Sequence, residues 1–135
     1  MELRNVCPEE ERWRALPVWG PEPEAPSGTS WRALMRRALR LAGRAARAGE
    51  VPVGALVVTP EGEVLGSAHN ETESLHDPTA HAEVLALRRA AAAAGNHRLS
   101  GCVLVVTLEP CLMCTGAIRE SRISGVVFGA SDARA

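Results

Sequence analysis

Apolar residues in the first third of the chain recur at the spacing of a helix that buries one face. Over residues 29–48 they include Trp31, Leu34 and Met35, and charged residues fill the positions between them. A serine or threonine just before this stretch can cap a helix, and Gly49 is typical of the residue after a helix end. The pattern predicts an amphipathic helix with one face in the core.

The remainder of the chain alternates short apolar runs with helical stretches, separated by turn residues. Strands are predicted over 51–58, 64–68, 102–107 and 125–130, and two further helices over 78–94 and 110–121. The order α-β-β-α-β-α-β predicts an α/β protein with three layers, in which helices pack on both faces of a central mixed sheet of four strands. The last β-α-β unit is expected to be a parallel crossover.

Residues 1–28 have a different composition from the rest of the chain. The segment 20–28 is rich in proline and glutamate and has no apolar periodicity. We therefore expect residues 1–28 to form a flexible tail or linker, and residues 29–135 to form the domain.

Composition and charge narrow the class of protein. Hydrophobic residues make up 46% and charged residues 23%, and the formal net charge is −1, so no overall field attracts nucleic acid. No stretch is long and apolar enough to span a membrane, and a signal pattern is lacking, so we expect a cytoplasmic protein.

Although the net charge is close to zero, six arginines fall in 31–48 without an acidic residue: Arg32, Arg36, Arg37, Arg40, Arg44 and Arg47. A solvated helix face is the default explanation, and contact with phosphates is the alternative.

Three residues at the starts of two predicted helices could hold a metal ion. Cys111 and Cys114 are neighbours on a helix surface, so both sulfurs can reach one ion, although a redox pair or two buried small residues fit the same spacing. His81 opens the other helix, and together the three side chains suit zinc. No fourth candidate is found at ligand spacing, since Cys102 lies at the far end of its strand and His69 and His76 fall in a predicted flexible loop. Three protein ligands leave one position open, which is typical of a catalytic zinc site.

Glu83 is the candidate for proton transfer at such a site. A carboxylate near the metal could take and return protons during hydrolysis. On a regular helix, however, residues two apart point to different sides, so Glu83 and His81 can address one ion only if the helix begins there. A solvated glutamate on a helix surface remains the alternative.

The motifs around these residues resemble those of a known family. They are His-Asp-Pro-Thr-Ala-His-Ala-Glu at 76–83, Thr-Leu-Glu-Pro-Cys-Leu-Met-Cys at 107–114, and Glu-Val-Pro-Val-Gly-Ala at 50–55. His-x-Glu followed by Pro-Cys-x-x-Cys is the signature of zinc-dependent nucleobase deaminases with the cytidine deaminase-like fold. Within that superfamily, residues 30–132 most resemble the bacterial tRNA-specific adenosine deaminases.

The resemblance implies a role for each residue that matches the family motif. His81, Cys111 and Cys114 would hold one zinc ion per chain, Glu83 would carry protons, and Asn70 would hydrogen-bond the substrate nucleoside. The implied activity is hydrolysis of adenosine to inosine at the wobble position of a tRNA anticodon, with release of ammonia. The implied partners are the tRNA anticodon loop and a second copy of the chain in a homodimer.

The chain departs from the family pattern at its C-terminus. The family continues past Asp132 with a further strand and helices that help to hold the RNA, whereas this chain ends at Ala135. We therefore expect a domain that is short at its C-terminus. Two alternatives stay open: a deaminase of free bases or nucleosides of the guanine or cytosine type, and an inactive truncated relative that only binds zinc.

Overall fold

The computed structural model describes residues 3–6, 13–15 and 24–132 of the 135 residues, and these contain six strands and three helices. The strands are β1 (Leu3–Val6), β2 (Trp13–Ala15), β3 (Gly54–Val58), β4 (Val64–His69), β5 (Val103–Leu108) and β6 (Gly125–Ala130), and the helices are α1 (Trp31–Arg47), α2 (Ala82–Ala94) and α3 (Leu112–Glu120). All four strands and all three helices expected over residues 29–130 are present. The predicted α/β class is therefore confirmed.

The strands form one mixed sheet in the order β2-β1-β6-β5-β3-β4. Strand β6 is parallel to β5, as the predicted β-α-β unit requires, while β3 is antiparallel to both β4 and β5. Parallel neighbours direct their carboxyl ends to the same edge of a sheet, so the segments after β5 and β6 leave the sheet side by side.

Apolar side chains from alternate strand positions fill two separate cores, one on each face of the sheet. In β3, Leu56 and Val58 pack towards α1, whereas Ala55 and Val57 pack on the side of α2 and α3. This alternation follows from the two-residue period of a strand, because successive side chains point to opposite faces. Helices on both faces confirm the predicted three-layer arrangement.

The N-terminal segment differs from the expectation of a tail. Of residues 1–28, the structure describes 3–6, 13–15 and 24–28, and the first two of these ranges are strands of the sheet. Strand β1 is parallel to β6, and β2 is antiparallel to β1, so the sheet has two strands more than the four expected. The rest of the predicted tail lies outside the described residues, and the domain boundary after residue 28 stays a prediction.

Glycine allows a helix to approach the sheet closely on the face of α2. A Cβ atom added to Gly66 of β4 would overlap the carbonyl oxygen of Ala86 and would lie 2.6 Å from the backbone nitrogen of Ala90. Both contacts are with backbone atoms of α2, which cannot turn away as a flexible side chain can. The close packing of α2 on β4 therefore depends on the absence of a side chain at this position.

We expect Gly66→Ala to lower the free energy of unfolding by about 1–3 kcal/mol, because α2 must shift to admit the methyl group. Gly116→Ala is the matched control, since a Cβ atom at Gly116 of α3 would have no neighbour within 4 Å. In the control, alanine should stabilise the helix by about 0.5–1 kcal/mol. Urea unfolding of the two variants measures both effects, and equal values would contradict the role of close packing.

Strand β4 is an edge of the sheet, and α2 protects part of it. The Nη1 atom of Arg89 donates a hydrogen bond to the backbone oxygen of Ser67 at 2.8 Å, and its Nη2 atom bonds an oxygen of Glu71 at 3.2 Å. One backbone acceptor of the edge strand is thus occupied from within the molecule.

Among the described residues, the helices are too short or too polar to cross a membrane.

Candidate metal centre

His81 immediately precedes α2, one residue outside the helix. The sequence predicted that this helix would begin near Pro78, but it begins at Ala82. Asp77 explains the difference, because its side chain accepts hydrogen bonds from the backbone nitrogen and the hydroxyl group of Thr79 at 2.8 and 2.7 Å. These bonds hold 77–80 in turns, so His81 takes extended backbone angles at the N-cap position.

Cys111 and Cys114 occupy the corresponding place at the start of α3. This segment follows β5 after a short link, just as the segment of His81 follows β4. Strands β4 and β5 both run antiparallel to β3, which lies between them, so both helix starts lie at the same edge of the sheet. Cys111 is the N-cap residue, and Cys114 lies in the first turn with none of its surface exposed. Both sulfurs therefore lie where the helix dipole favours negative charge.

The three candidate ligand atoms lie at the distances that one zinc ion requires. The Nδ1 atom of His81 is 3.7 Å from the sulfur of Cys111 and 3.5 Å from that of Cys114, and all three atoms lie within 4.8 Å of one another. A tetrahedral zinc ion with bonds of about 2.3 Å to sulfur and about 2.0–2.1 Å to nitrogen holds such atoms about 3.6 Å apart. The geometry fits a zinc site that has three protein ligands.

Glu83 points into the same site. Its side chain is only 4% exposed, and the thiol of Cys114 donates a hydrogen bond to its Oε2 atom at 3.0 Å. The spacing of two residues from His81 is no obstacle, because His81 precedes the helix and its backbone is extended. The sequence left open the alternative that Glu83 is a solvated residue on a helix surface, and its buried position excludes that alternative.

The electrostatics of the site favour a bound cation. Burial, followed by the nearby Glu83 carboxylate, raises the pKa of the Cys114 thiol well above its usual range. A thiolate and a carboxylate so close together in a buried space repel each other unless a positive charge compensates them. A divalent cation stabilises the thiolate, and two sulfurs with one imidazole are a donor set that zinc prefers. The residues present thus fit a zinc cofactor.

A cavity of about 110 Å³ opens beside the three ligands. Its lining residues come from several separate segments and are Val53, Asn70, His81, Glu83, Leu108, Glu109, Cys111 and Asp132. The volume is below the ~300–1,000 Å³ of typical small-molecule pockets. The cavity is thus smaller than the sites that enclose a whole drug-sized molecule.

Asn70 links this cavity to the start of α2. Its side-chain oxygen accepts a hydrogen bond from the backbone nitrogen of Ala82 at 2.8 Å, and the residue is buried. Because the partner is an N–H group, the amide oxygen must face the helix, and the NH₂ group is left for the cavity. Asn70 therefore stabilises the helix start that presents His81, and it can also donate hydrogen bonds to a ligand.

Glu50 contributes to the site in a way that the sequence did not reveal. Its buried carboxylate accepts hydrogen bonds from the backbone nitrogens of Glu73 and Ser74, at 2.7 and 3.3 Å to Oε1. It thereby fixes the loop that connects Asn70 to His81. The signals in the sequence are its place in the Glu-Val-Pro-Val-Gly-Ala motif and the apolar strand that follows, and neither identifies its distant partners.

The other cysteine and histidine candidates lie outside the cluster. Cys102 is buried at the opposite end of β5 from Cys111, and the ring of His69 lies 2.8 Å from the backbone oxygen of Asn70. Over the ranges 3–6, 13–15 and 24–132, the only group of three or more residues placed to hold a metal is His81, Cys111 and Cys114. The three residues that the sequence predicted as zinc ligands are the members of this group.

The chain matches a known family model over most of its length. The model describes the cytidine and deoxycytidylate deaminase zinc-binding region, and it matches residues 29–130. The tRNA-specific adenosine deaminase of Aquifex aeolicus is 53% identical over 98 residues, which cover 73% of this chain and 64% of that protein. A tRNA(Ile)-lysidine synthase of Deinococcus deserti is 52% identical over 101 residues, covering 75% of this chain and 19% of that protein. The chain thus spans less than two thirds of these relatives.

Solved structures of two kinds of deaminase are similar to this fold. One comes from a study of A-to-I editing by tRNA:A34 deaminases at the wobble position of transfer RNA, with a TM-score of 0.72 and 45% identity over 74% of this chain and 72% of that chain. The other is a guanine deaminase from Bacillus subtilis, with a TM-score of 0.74 and 36% identity over 76% of this chain and 66% of that chain.

Proposed function

This chain belongs to the family defined by the cytidine and deoxycytidylate deaminase zinc-binding region, and we propose that it is a zinc-dependent hydrolase that converts adenosine to inosine at the wobble position of a tRNA anticodon. The observation that carries the proposal is the grouping of His81, Cys111 and Cys114 with the buried carboxylate of Glu83. A cavity that two of these ligands and Glu83 line lies beside the group. Identities of 52–53% to tRNA-specific adenosine deaminases from Aquifex aeolicus and Haemophilus influenzae support tRNA as the substrate.

The residues of the site have separate roles in the reaction. His81, Cys111 and Cys114 hold the zinc ion, which when bound supplies a Lewis acid that makes water nucleophilic at neutral pH. Replacement of the amino group at C6 by oxygen consumes one water molecule and releases one ammonia molecule. One proton of the water ends on the ring nitrogen N1, and the other must pass to the leaving nitrogen. Glu83 is the buried carboxylate beside the ligands, and it accepts this proton and returns it.

Asn70 orients the substrate relative to the zinc ligands. Its amide oxygen is committed to Ala82, so its NH₂ group can donate to an acceptor of the nucleoside. The cavity of about 110 Å³ holds one base, which agrees with a nucleotide that leaves its stack to enter the site. The remainder of an RNA substrate would then lie across the surface around the cavity.

Deamination of a free base is the second candidate. The guanine deaminase of Bacillus subtilis has a similar fold, with a TM-score of 0.74 and 36% identity, and the net charge of −1 gives no general attraction for RNA. Such an enzyme would use the same zinc ligands and the same proton carrier.

A zinc-binding relative without activity is a third candidate, but a purely structural zinc site has no need of the buried Glu83 carboxylate.

Ammonia release from several substrates separates these candidates. We expect the zinc-loaded protein to release ammonia from a tRNA with adenosine at the wobble position, and inosine should appear at that position only. A transcript with guanosine in place of that adenosine is the control. Activity confined to free guanine or cytosine would refute tRNA editing, and no activity on any substrate would favour the zinc-binding relative.

Exposed apolar side chains beside the site support self-association. Leu112 is 89% exposed and Met113 is 39% exposed, and both lie at the start of α3 next to the ligand Cys111. A homodimer that covers them would remove this apolar surface from water.

We propose a cytoplasmic location, in keeping with the relatives named for their action on tRNA.

A further inference from the structure

Glu50 is a buried carboxylate that lies outside the group of metal ligands, in the segment between α1 and β3. Only 5% of its surface is exposed. Its Oε1 atom accepts hydrogen bonds from the backbone nitrogens of Glu73 and Ser74 at 2.7 and 3.3 Å, and its Oε2 atom lies 3.3 Å from the nitrogen of Glu73. Glu50 therefore ties the loop 71–80, which we call the anchored loop, to the end of α1.

The hydrogen bonds to the anchored loop are the compensation that the structure shows for the charge of Glu50. The backbone nitrogen of Glu50 donates to the carbonyl oxygen of Ala45 in the last turn of α1, at 2.9 Å, and the helix dipole disfavours a carboxylate at that end. No cationic side chain of the described ranges forms an ion pair with Glu50. A buried carboxylate is costly unless it is hydrogen-bonded, so Glu50 depends on the loop as the loop depends on Glu50.

The anchored loop is connected more directly to Asn70 than to His81. The two residues that Glu50 holds lie three and four residues after Asn70, but eight and seven residues before His81. In addition, the backbone nitrogen of Asn70 donates to the carbonyl oxygen of Val53 at 3.2 Å. The segment 50–53 thus contacts the chain on Asn70 itself and just beyond it.

The two ends of the loop differ in how they would respond to the loss of Glu50. The backbone nitrogen of His81 donates to the carbonyl oxygen of Thr79 at 2.7 Å, and a bound zinc ion would hold its ring as well. Asn70 instead has to direct its NH₂ group into the cavity while its amide oxygen bonds the nitrogen of Ala82, so a shift of its backbone changes the direction of the donor. Loss of Glu50 is therefore expected to disturb Asn70 more than the metal ligands.

We propose that Glu50 is a positioning residue for the reaction, which acts through the anchored loop on Asn70 and so sets the affinity for the substrate nucleoside. This inference rests on the proposed function, since it takes Asn70 as a residue that binds the nucleoside. Asn70 takes no part in the proton transfer, so its hydrogen bond stabilises the bound substrate and the transition state alike. Loss of such a contact raises KM and leaves kcat unchanged.

The test compares two substitutions of Glu50 in the zinc-loaded protein. Glu50→Ala removes the hydrogen bonds to the loop, whereas Glu50→Gln keeps an acceptor oxygen that can occupy the position of Oε1. We expect Glu50→Ala to raise KM by about 10- to 100-fold with kcat within about three-fold, as for a small displacement of a positioning group. Glu50→Gln should return KM to within about three-fold of the unmodified protein, and both variants should keep about one zinc ion per chain. An unchanged KM in Glu50→Ala, or a fall in kcat with loss of zinc, would overturn the proposal.

Thr59→Ala is the matched control, because Thr59 also fixes a turn by accepting a hydrogen bond from a backbone nitrogen. Its Oγ1 atom lies 3.1 Å from the nitrogen of Glu63, in the turn between β3 and β4, at the opposite end of β3 from Val53. The control should leave KM within about two-fold, even where urea unfolding shows a loss of stability. A rise in KM equal to that of Glu50→Ala would show that general destabilisation is the cause. Should Glu50→Ala fail to fold, Glu50→Asp replaces it, since its shorter side chain draws the carboxylate away from the loop.

A double-mutant cycle with Asn70→Ala tests whether Glu50 acts through Asn70. Two residues that act through one contact have non-additive effects, so Glu50→Ala should lower kcat/KM by less than about two-fold when Asn70 is already alanine. Equal effects in the two backgrounds would sink the proposal, because Glu50 would then act independently of Asn70. Where Asn70→Ala turns over too slowly for kinetics, the affinity for tRNA supplies the same comparison.

The same samples separate failure of this inference from failure of the proposed function. If the unmodified protein deaminates tRNA and Glu50→Ala does so with the same KM, only the Glu50 proposal fails. If the unmodified protein deaminates a free base but not tRNA, editing of tRNA is refuted, and the KM for that base tests Glu50. If the zinc-loaded protein deaminates no substrate, the proposed function fails and the Glu50 proposal falls with it.

Discussion

Glu83→Gln is expected to lower turnover by about 100- to 10,000-fold while about one zinc ion per chain remains bound. Glutamine has nearly the same size and can fill the same buried space, but it cannot accept and return a proton. The three ligand atoms come from other residues, so metal binding should persist. Rates of inosine formation and metal analysis of the same preparation measure the two quantities.

Glu120→Gln is the control for this substitution. Glu120 is exposed at the end of α3, and the same chemical change there should leave turnover within about two-fold of the unmodified protein, as for most surface substitutions. If Glu83→Gln kept full activity, another group would have to carry the proton. If it lost the zinc ion as well, the role of Glu83 would be to maintain the site rather than to move protons.

Cys114→Ala should abolish both zinc binding and turnover. The sulfur of Cys114 is fully buried and lies 3.5 Å from the Nδ1 atom of His81, so its removal leaves two protein ligands for an ion that needs at least three in a catalytic site. Because zinc binds the folded state, the unmodified protein should also lose thermal stability when a chelator removes the metal. The variant should melt at this lower temperature without any chelator.

Cys102→Ala is the matched control, because Cys102 is also a buried cysteine but lies outside the cluster. It should retain zinc and should still lose stability when the chelator is added. Metal analysis and thermal unfolding with and without chelator provide the comparison. A Cys114→Ala variant that kept its zinc would show that the metal is held elsewhere.

The sequence predicted the ligands of the site better than it predicted how they are presented. Spacing placed Cys111 and Cys114 on one helix start correctly, since contacts three residues apart are local. It could not show that α2 begins at Ala82, because this depends on the Asp77 turn and on Asn70, whose side chain comes from twelve residues upstream. The doubt about His81 and Glu83 arose from that missing boundary.

The fold was predictable where segments were long and regular. Helix α1 and the buried strands carry enough apolar positions to define a period, and their bounds differ from the prediction by at most three residues. Strands β1 and β2 have four and three residues, too few to display an alternation among the prolines and glutamates nearby. The pairing of β1 with β6 also joins residues more than 100 positions apart, and local composition carries no information about such a contact.

The hydrogen bond from Arg89 to the backbone of Ser67 has a consequence for how copies of this protein could assemble. A strand from another molecule that tried to extend the sheet beyond β4 would have to displace a charged side chain that already occupies the backbone oxygen. Growth of the sheet from molecule to molecule is therefore disfavoured at this border. The homodimer proposed above would instead use the helical surface that carries Leu112 and Met113, next to the candidate metal centre.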